Sequence, residues 1–228
     1  MNVIIGISTV VLTILMYQIA LRIHKKWPHP FTLPVLLSMI FIIAVLLIFG
    51  ASYDQYMIGG GWINELLGPA VVALAYPLYI QRKTLVKLAA PLLIGTTAGA
   101  FTGVISGLLL TYWAGFSEEI LYAISSKSVT TPVAVVITEV LGGITSLSAI
   151  MVVIAGISGV IVHKYIFKLF GIHSELGRGL GMGSAAHAIG TAEMMKENQL
   201  AGSISTVAMV NSALVVSIIT PWLVSWFV

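Results

Sequence analysis

The sequence predicts an all-α, polytopic membrane protein with about six full transmembrane spans and two discontinuous or re-entrant segments. Three observations carry this. First, 58% of the 228 residues are hydrophobic and 8% are charged, with a mean hydropathy of +1.05; a soluble domain carries about 25% charged residues. Second, the basic residues sit mostly in short clusters between long apolar runs, the pattern of cytoplasmic loops under the positive-inside rule. Third, two stretches in the second half are too polar and too rich in Gly or Pro for plain lipid-facing helices.

The spans run in order along the chain. Val3 to Leu21 is long enough, at about 1.5 Å per residue, for a hydrocarbon core of about 30 Å. Its basic residues Arg22, Lys25 and Lys26 come after the apolar run, so it reads as a retained span with its N-terminus outside rather than a signal peptide. Phe31 to Ala51 returns outward to a loop, "SYDQYMIGGGW", that holds Asp54, the only Asp. Ile63 to Tyr79 comes back to Arg82, Lys83 and Lys87. Leu88 to Trp113 exits at "AGFSEE", "TSLSAIMVVIAGISGVIV" ends at His163, Lys164 and Lys168, and Ser203 to Val228 closes the chain. No linker interrupts residues 1–228, which read as one integral membrane domain.

Composition also excludes. The pI near 9.2 does not point to nucleic acid, since no basic stripe interleaves with aromatics. The chain has no Cys, which removes disulfides, Cys-ligated zinc, iron–sulfur clusters and a Cys nucleophile. No HExxH is present, and one Asp cannot make an aspartyl dyad. Ser184 with His187 lacks an evident third orienting group, so an enzyme is the poorer reading, and no cofactor or metal is expected.

The first polar stretch is "KSVTTPVAVVITEVLGG", Lys127 to Gly143. Pro132 removes a donor and disfavours helix at Thr131; Gly142 and Gly143 can terminate a helix begun there. A half-helix would start near Pro132 with Ser128, Thr130 and Thr131 at its mouth. Its free N–H groups and partial positive charge suit an anion. In the second stretch, Gly177, Gly179, Gly181 and Gly183 allow close backbone approach, with Gly181 and Gly183 the candidate backbone anion site. Ser184 and His187 come next, one turn apart, then Thr191.

Together these are candidate substrate-binding residues for a small carboxylate, with Glu139, His187 and Glu193 as candidate proton or ion-coupling groups. Lys127 and Arg178 would supply attraction near the entrance. The plainer reading has the hydroxyls satisfying helix ends and the long cations snorkelling to headgroups. Ser128-Val-Thr-Thr-Pro and Ser184-Ala-Ala-His-Ala each precede a Glu; an inverted repeat and coincidence explain this echo equally well.

Gly95, Gly99, Gly103 and Gly107 recur every four residues, which permits close helix packing, within the chain or along a homo-oligomer seam. In "NELLGPAVVALAYPLY", Asn64, Glu65, Pro69 and Pro77 read equally as packing or as a site.

At "ELLGPAVVALAYPLY", "KSVTTPVAVVITEVLGG" and "GSAAHAIGTAE" the chain resembles the LrgB/CidB family of bacterial inner-membrane proteins over nearly its whole length, and is similar to the C-terminal half of the plastid glycolate/glycerate translocator. The resemblance implies a multi-pass protein of the cytoplasmic (inner) membrane and a small LrgA/CidA-like membrane partner. It implies either transport of small monocarboxylates such as pyruvate or glycolate, or an antiholin- or holin-like control of murein hydrolase activity and lysis. The polar pair of broken segments favours transport. The chain lacks an LrgA-like half, so it needs that partner or acts as a homo-oligomer.

Overall fold

The computed structural model describes residues 2–66, 69, 72, 73 and 75–227, which form two compact units, Met1–Ala75 and Tyr76–Val228. Ten α-helices and a 3-10 turn can be followed among the described residues. Among the described residues, four helices are long and apolar enough to cross a membrane: α1 (Asn2–Lys26), α5 (Ala89–Trp113), α8 (Thr145–Leu169) and α10 (Gln199–Val224). The helix α2 (Pro34–Phe49) is apolar but shorter. Large apolar side chains such as Ile4, Leu47, Ile48, Ile154 and Ile218 stand more than half exposed, an arrangement stable against lipid and costly against water.

In the first unit, α1 packs against α2 and α3 (Tyr53–Glu65). A 3-10 turn at Pro30–Thr32 leads into α2, and Gly50 ends α2 in the left-handed region at φ 62°. The loop expected at "SYDQYMIGGGW" is helix instead. Ser52 caps it: its hydroxyl accepts from the Gln55 amide at 3.2 Å, and the Gln55 side chain accepts from the Ser52 amide at 3.0 Å. Its glycines serve packing, since a side chain at Gly59 would strike the Gly6 carbonyl of α1. The expected third span, Ile63 to Tyr79, falls partly on residues 67, 68, 70, 71 and 74, outside those described. The expected loop at "QRKTLVK" belongs to a helix, α4 (Ala75–Lys87).

In the second unit, α5, α8 and α10 match the expected spans closely. The two polar stretches separate them, and both double back. The first comprises α6 (Glu118–Ser125), a turn, and α7 (Thr131–Leu141). The Ile144 amide reaches the Glu119 carbonyl at 3.5 Å, so the exit lies beside the start. The second stretch is α9 (Glu175–Glu197), two half-helices broken at His187. Arg178 and Glu197 form an ion pair, although 19 residues apart they would stand about 28 Å from each other on an unbroken helix. Each stretch is a helical hairpin; they are called hairpin 1 and hairpin 2 below. The core between α5, hairpin 1, α8 and α10 is built on Val104, Leu108, Leu121, Val129, Val152 and Val216.

Candidate functional site

The glycine repeat of α5 is the surface on which the two hairpins meet. The rungs run in order. A side chain at Gly95 would fall 3.0 Å from Leu180, and one at Gly99 would fall 3.2 Å from the Cβ of Ser184. One at Gly103 would lie 3.1 Å from the Ser128 hydroxyl, and one at Gly107 would meet the Lys127 ammonium at 2.5 Å. Hairpin 2 therefore approaches from the Ala89 end of α5 and hairpin 1 from the Trp113 end. Ser184 and Ser128 rest one turn apart, on rungs separated by about 6 Å of helix rise. The glycine face is occupied by this chain's own hairpins, which decides for internal packing.

A cavity of about 360 Å³ opens at this junction, lined chiefly by Gly99, Thr102, Gly103, Ser128, Gly181 and Ser184. Its size suits a small ligand. The two serines are 9% exposed. Among the described residues, neither hydroxyl has a hydrogen-bond partner, and the Ser184 Oγ is fully buried. Buried polar atoms are nearly always paired, and leaving one unmade costs about 1–3 kcal/mol. The Ser184 hydroxyl is such an orphan. Nearby, Thr130 starts α7 from extended backbone with no side-chain cap, and Pro132 stands in the first turn. The first-turn amides of Thr131 and Val133 thus have no intrahelical acceptor. The Lys127 ammonium donates to the Gly103 carbonyl at 2.9 Å, so it lies on the glycine ladder rather than at an outer entrance. Ser126 anchors the same turn, reaching Thr138 and Ser148 at 3.3 Å each.

His187 makes the turn of hairpin 2. Its φ of 40° and ψ of −129° are glycine-like, and a non-glycine residue there costs about 1–3 kcal/mol. The ring is buried against Gly156 of α8, where a side chain would fall 2.9 Å from it. Its Nε2–H donates to the Val152 carbonyl at 2.9 Å. A carbonyl only accepts, which fixes Nε2 as donor and leaves Nδ1 as a lone-pair acceptor; Nδ1 is buried and has no partner among the described residues. One hydrogen bond, about 1 kcal/mol net, does not offset both strain and orphan. The packing of Gly156 and Gly159 on the tip holds the conformation.

The remaining expected site residues are distributed differently. Thr130 and Thr131 flank the tip of hairpin 1, half-buried, and do not line the cavity. Thr191 turns to α10, its hydroxyl 2.8 Å from that of Ser205. Gly183 also faces α10, against Ser205 and Ala208. Glu139 is exposed and enters no ion pair among the described residues; Glu193 pairs with Lys196 at 3.2 Å. Arg178 belongs to an ion cluster that closes the base of hairpin 2. There Glu197 accepts from Arg178 and lies 3.3 Å from His163 Nε2 and 3.4 Å from Lys164. Burial pushes the Glu197 carboxyl up, but the His163 hydrogen bond and the charges of Arg178, His163 and Lys164 outweigh it and hold the group below the usual carboxylate range. Sequence reasoning misses this cluster and Thr102; the charges at 163, 164, 178 and 197 are visible in the sequence, but not their convergence.

Long apolar helices around two polar hairpins define a multi-pass helical membrane protein. The chain belongs to the LrgB-like family, whose profile matches residues 13–226, which makes it a membrane protein of the holin/antiholin-like kind. It is 46% identical to the uncharacterized protein YxaC of Bacillus subtilis strain 168, over 97% of this chain and 96% of the relative. It is 32% identical to the holin-like protein CidB of Staphylococcus aureus strain N315, over 96% and 95% of the two chains. CidB of Staphylococcus epidermidis strain ATCC 12228 gives the same identity over 97% of each. No solved structure matches the chain.

Proposed function

We propose that this protein carries small monocarboxylates, 2-oxo or 2-hydroxy acids of the pyruvate or glycolate type, across the bacterial cytoplasmic membrane. The observation that carries this reading is the cavity between the hairpin tips, lined by Ser128 from one and by Ser184, whose buried hydroxyl has no partner among the described residues, from the other. A carboxylate has two oxygens for two donors, and the uncapped start of α7 adds a favourable dipole. Irregular backbone survives at membrane depth only where it is packed in protein or lines a cavity, and both tips meet that condition.

The membrane placement rests on charge. Arg82, Lys83 and Lys87 precede the Ala89 end of α5, and Lys164, Lys168, Arg178 and Lys196 gather at the base of hairpin 2, which approaches from that end. That side is cytoplasmic by the positive-inside rule. Hairpin 1 then re-enters from outside and hairpin 2 from inside, so α5 with hairpin 1 and α8 with hairpin 2 form an inverted repeat within one integral domain of residues 1–228. The Val224 end of α10 lies outside. Transport sites between discontinuous helices of opposed orientation sit near the midplane and serve alternating access.

Of the three candidate coupling groups, His187 is the buried one with a free acceptor. Its ring packs on α8 and is not among the residues lining the serine cavity, so its role would be to take up a proton as the anion is carried. Glu139 and Glu193 would then serve surface roles. A small LrgA/CidA-like protein is the proposed partner, with a homo-oligomer as the form acting alone.

The name of the staphylococcal relatives, holin-like protein CidB, favours a second reading, a pore or lysis regulator. Proteoliposomes loaded with a retained dye separate the two. Saturable uptake of radiolabelled pyruvate or glycolate without dye loss is expected of the carrier. Dye leakage, or no uptake with or without the partner, would transfer the assignment to the pore or regulator.

A further inference from the structure

We infer that the pocket outside the base of hairpin 2 is a binding site for the phosphate group of an anionic phospholipid. The pocket, about 290 Å³, is lined by Lys164, Phe167, Lys168, Ile172, His173 and Arg178. Three of these residues carry full positive charge. Two of them, Lys164 and Arg178, touch the carboxylate of Glu197, which is shared with His163 as well. Lys164 is 72% exposed, so its ion pair contributes little; Lys168 has no ion pair among the described residues. The pocket therefore keeps an excess of positive charge that nothing described in the chain neutralises, which draws oxyanions.

The surroundings select the source of the oxyanion. On the same last turns of α8, Tyr165, Leu169 and Phe170 are each more than half exposed, and α8 is one of the four helices apolar enough to span. Cations snorkelling beside bare apolar side chains mark the headgroup level of a bilayer. An acyl chain would lie against Leu169 and Phe170 while Lys168 and Lys164 hold the phosphate. Phe167 lines the pocket beside them, with the Arg178 guanidinium 5.8 Å from its ring centroid. This site is separate from the serine cavity and stands whether or not carboxylates are carried.

The test is retention of lipid on the purified protein. The full chain is extracted from vesicles of mixed phosphatidylglycerol and phosphatidylcholine, and bound lipid is counted by native mass spectrometry beside the thermal midpoint. The wild type is expected to keep phosphatidylglycerol over phosphatidylcholine by about tenfold and to melt several degrees higher with it. The Lys164→Gln/Lys168→Gln variant, which removes the exposed Lys164 contact but keeps those of Arg178 and His163 to Glu197, is expected to lose that preference at an unchanged elution volume on size exclusion. Equal retention of both lipids by the wild type would overturn the inference. So would a variant that keeps the preference, or the same thermal shift from millimolar inorganic phosphate alone, which would make the site one for a free anion.

Discussion

The two hairpins solve the same problem differently. Hairpin 1 spreads its turn over Ser126 to Thr130, with a proline to start the second arm and a left-handed glycine, Gly142, to end it. Its base is closed by close packing, since a side chain at Gly143 would fall 2.7 Å from the Tyr122 Cβ and 3.0 Å from the Glu119 carbonyl. Hairpin 2 reverses at one strained residue, His187, and closes its base with charges around Glu197. A steric base is indifferent to salt and pH, whereas an ionic one near the surface weakens with both. Hairpin 2 is thus the one whose base solution conditions can loosen. In the proposed orientation, that base faces the cytoplasm.

The largest expected effect comes from removing the place where the two meet. Gly99→Leu or Gly103→Leu fills the cavity at the serine rungs and should reduce uptake at least about tenfold, while membrane insertion measured by carbonate extraction is unchanged. Gly61→Leu, where no neighbour among the described residues lies within 4 Å, is the control and should transport normally. Transport preserved in both cavity variants would separate the tips from function.

Next is the turn of hairpin 2. His187→Gly relieves the backbone strain and His187→Ala keeps it, so the Gly variant should be more stable than the Ala variant by about 1 kcal/mol, read as a higher midpoint in detergent. Both should lose uptake through loss of the ring. An Ala variant as stable as the Gly variant would mean that the turn relaxes when the ring is removed.

Gly143→Val attacks the steric base of hairpin 1 and should cost about 1–3 kcal/mol through overpacking, equally at low and high salt. Glu197→Gln attacks the ionic base and should cost a similar amount, about 1–3 kcal/mol, because it takes the counter-charge from the mostly buried His163 and Arg178. Its loss should shrink in high salt, chiefly through the exposed Lys164 contact. The pH dependence has a definite sign. With its folded pKa held below the ordinary value, Glu197 contributes stability that is fully present above the usual glutamate range and lost as pH falls through the folded value. The wild type should therefore lose midpoint on acidification more steeply than Glu197→Gln. Parallel acid profiles for the two proteins would remove the ionic clasp from the account.

The sequence displays hairpin 1 more openly than hairpin 2. Pro132 and the Gly142–Gly143 pair are local punctuation, and the half-helix read from them is α7. In hairpin 2 the glycines promise close backbone approach, but neither Gly nor Pro stands at the turn itself, so the break at His187 has no local sign. Doubling back is a long-range property: Arg178 with Glu197 and Glu119 with Ile144 are pairings that periodicity does not encode. The glycine repeat is readable as a packing face, but its function as the ladder that aligns Ser184 with Ser128 depends on what packs there. Conversely, α3 carries a capping signal, Ser52 with Gln55, which its run of three glycines masks.

The most direct measurement uses the absence of cysteine from the chain. Ser128→Cys from hairpin 1 and Ala185→Cys, an exposed position on the cavity lining of hairpin 2, each supply one thiol, and its alkylation rate by a small maleimide is monitored against increasing pyruvate or glycolate. If the two tips share one carboxylate site, both thiols are protected with the same half-maximal concentration, and acetamide, a neutral molecule of similar size, protects neither. Protection of one thiol without the other, or of neither, would contradict a single cavity built from both hairpins.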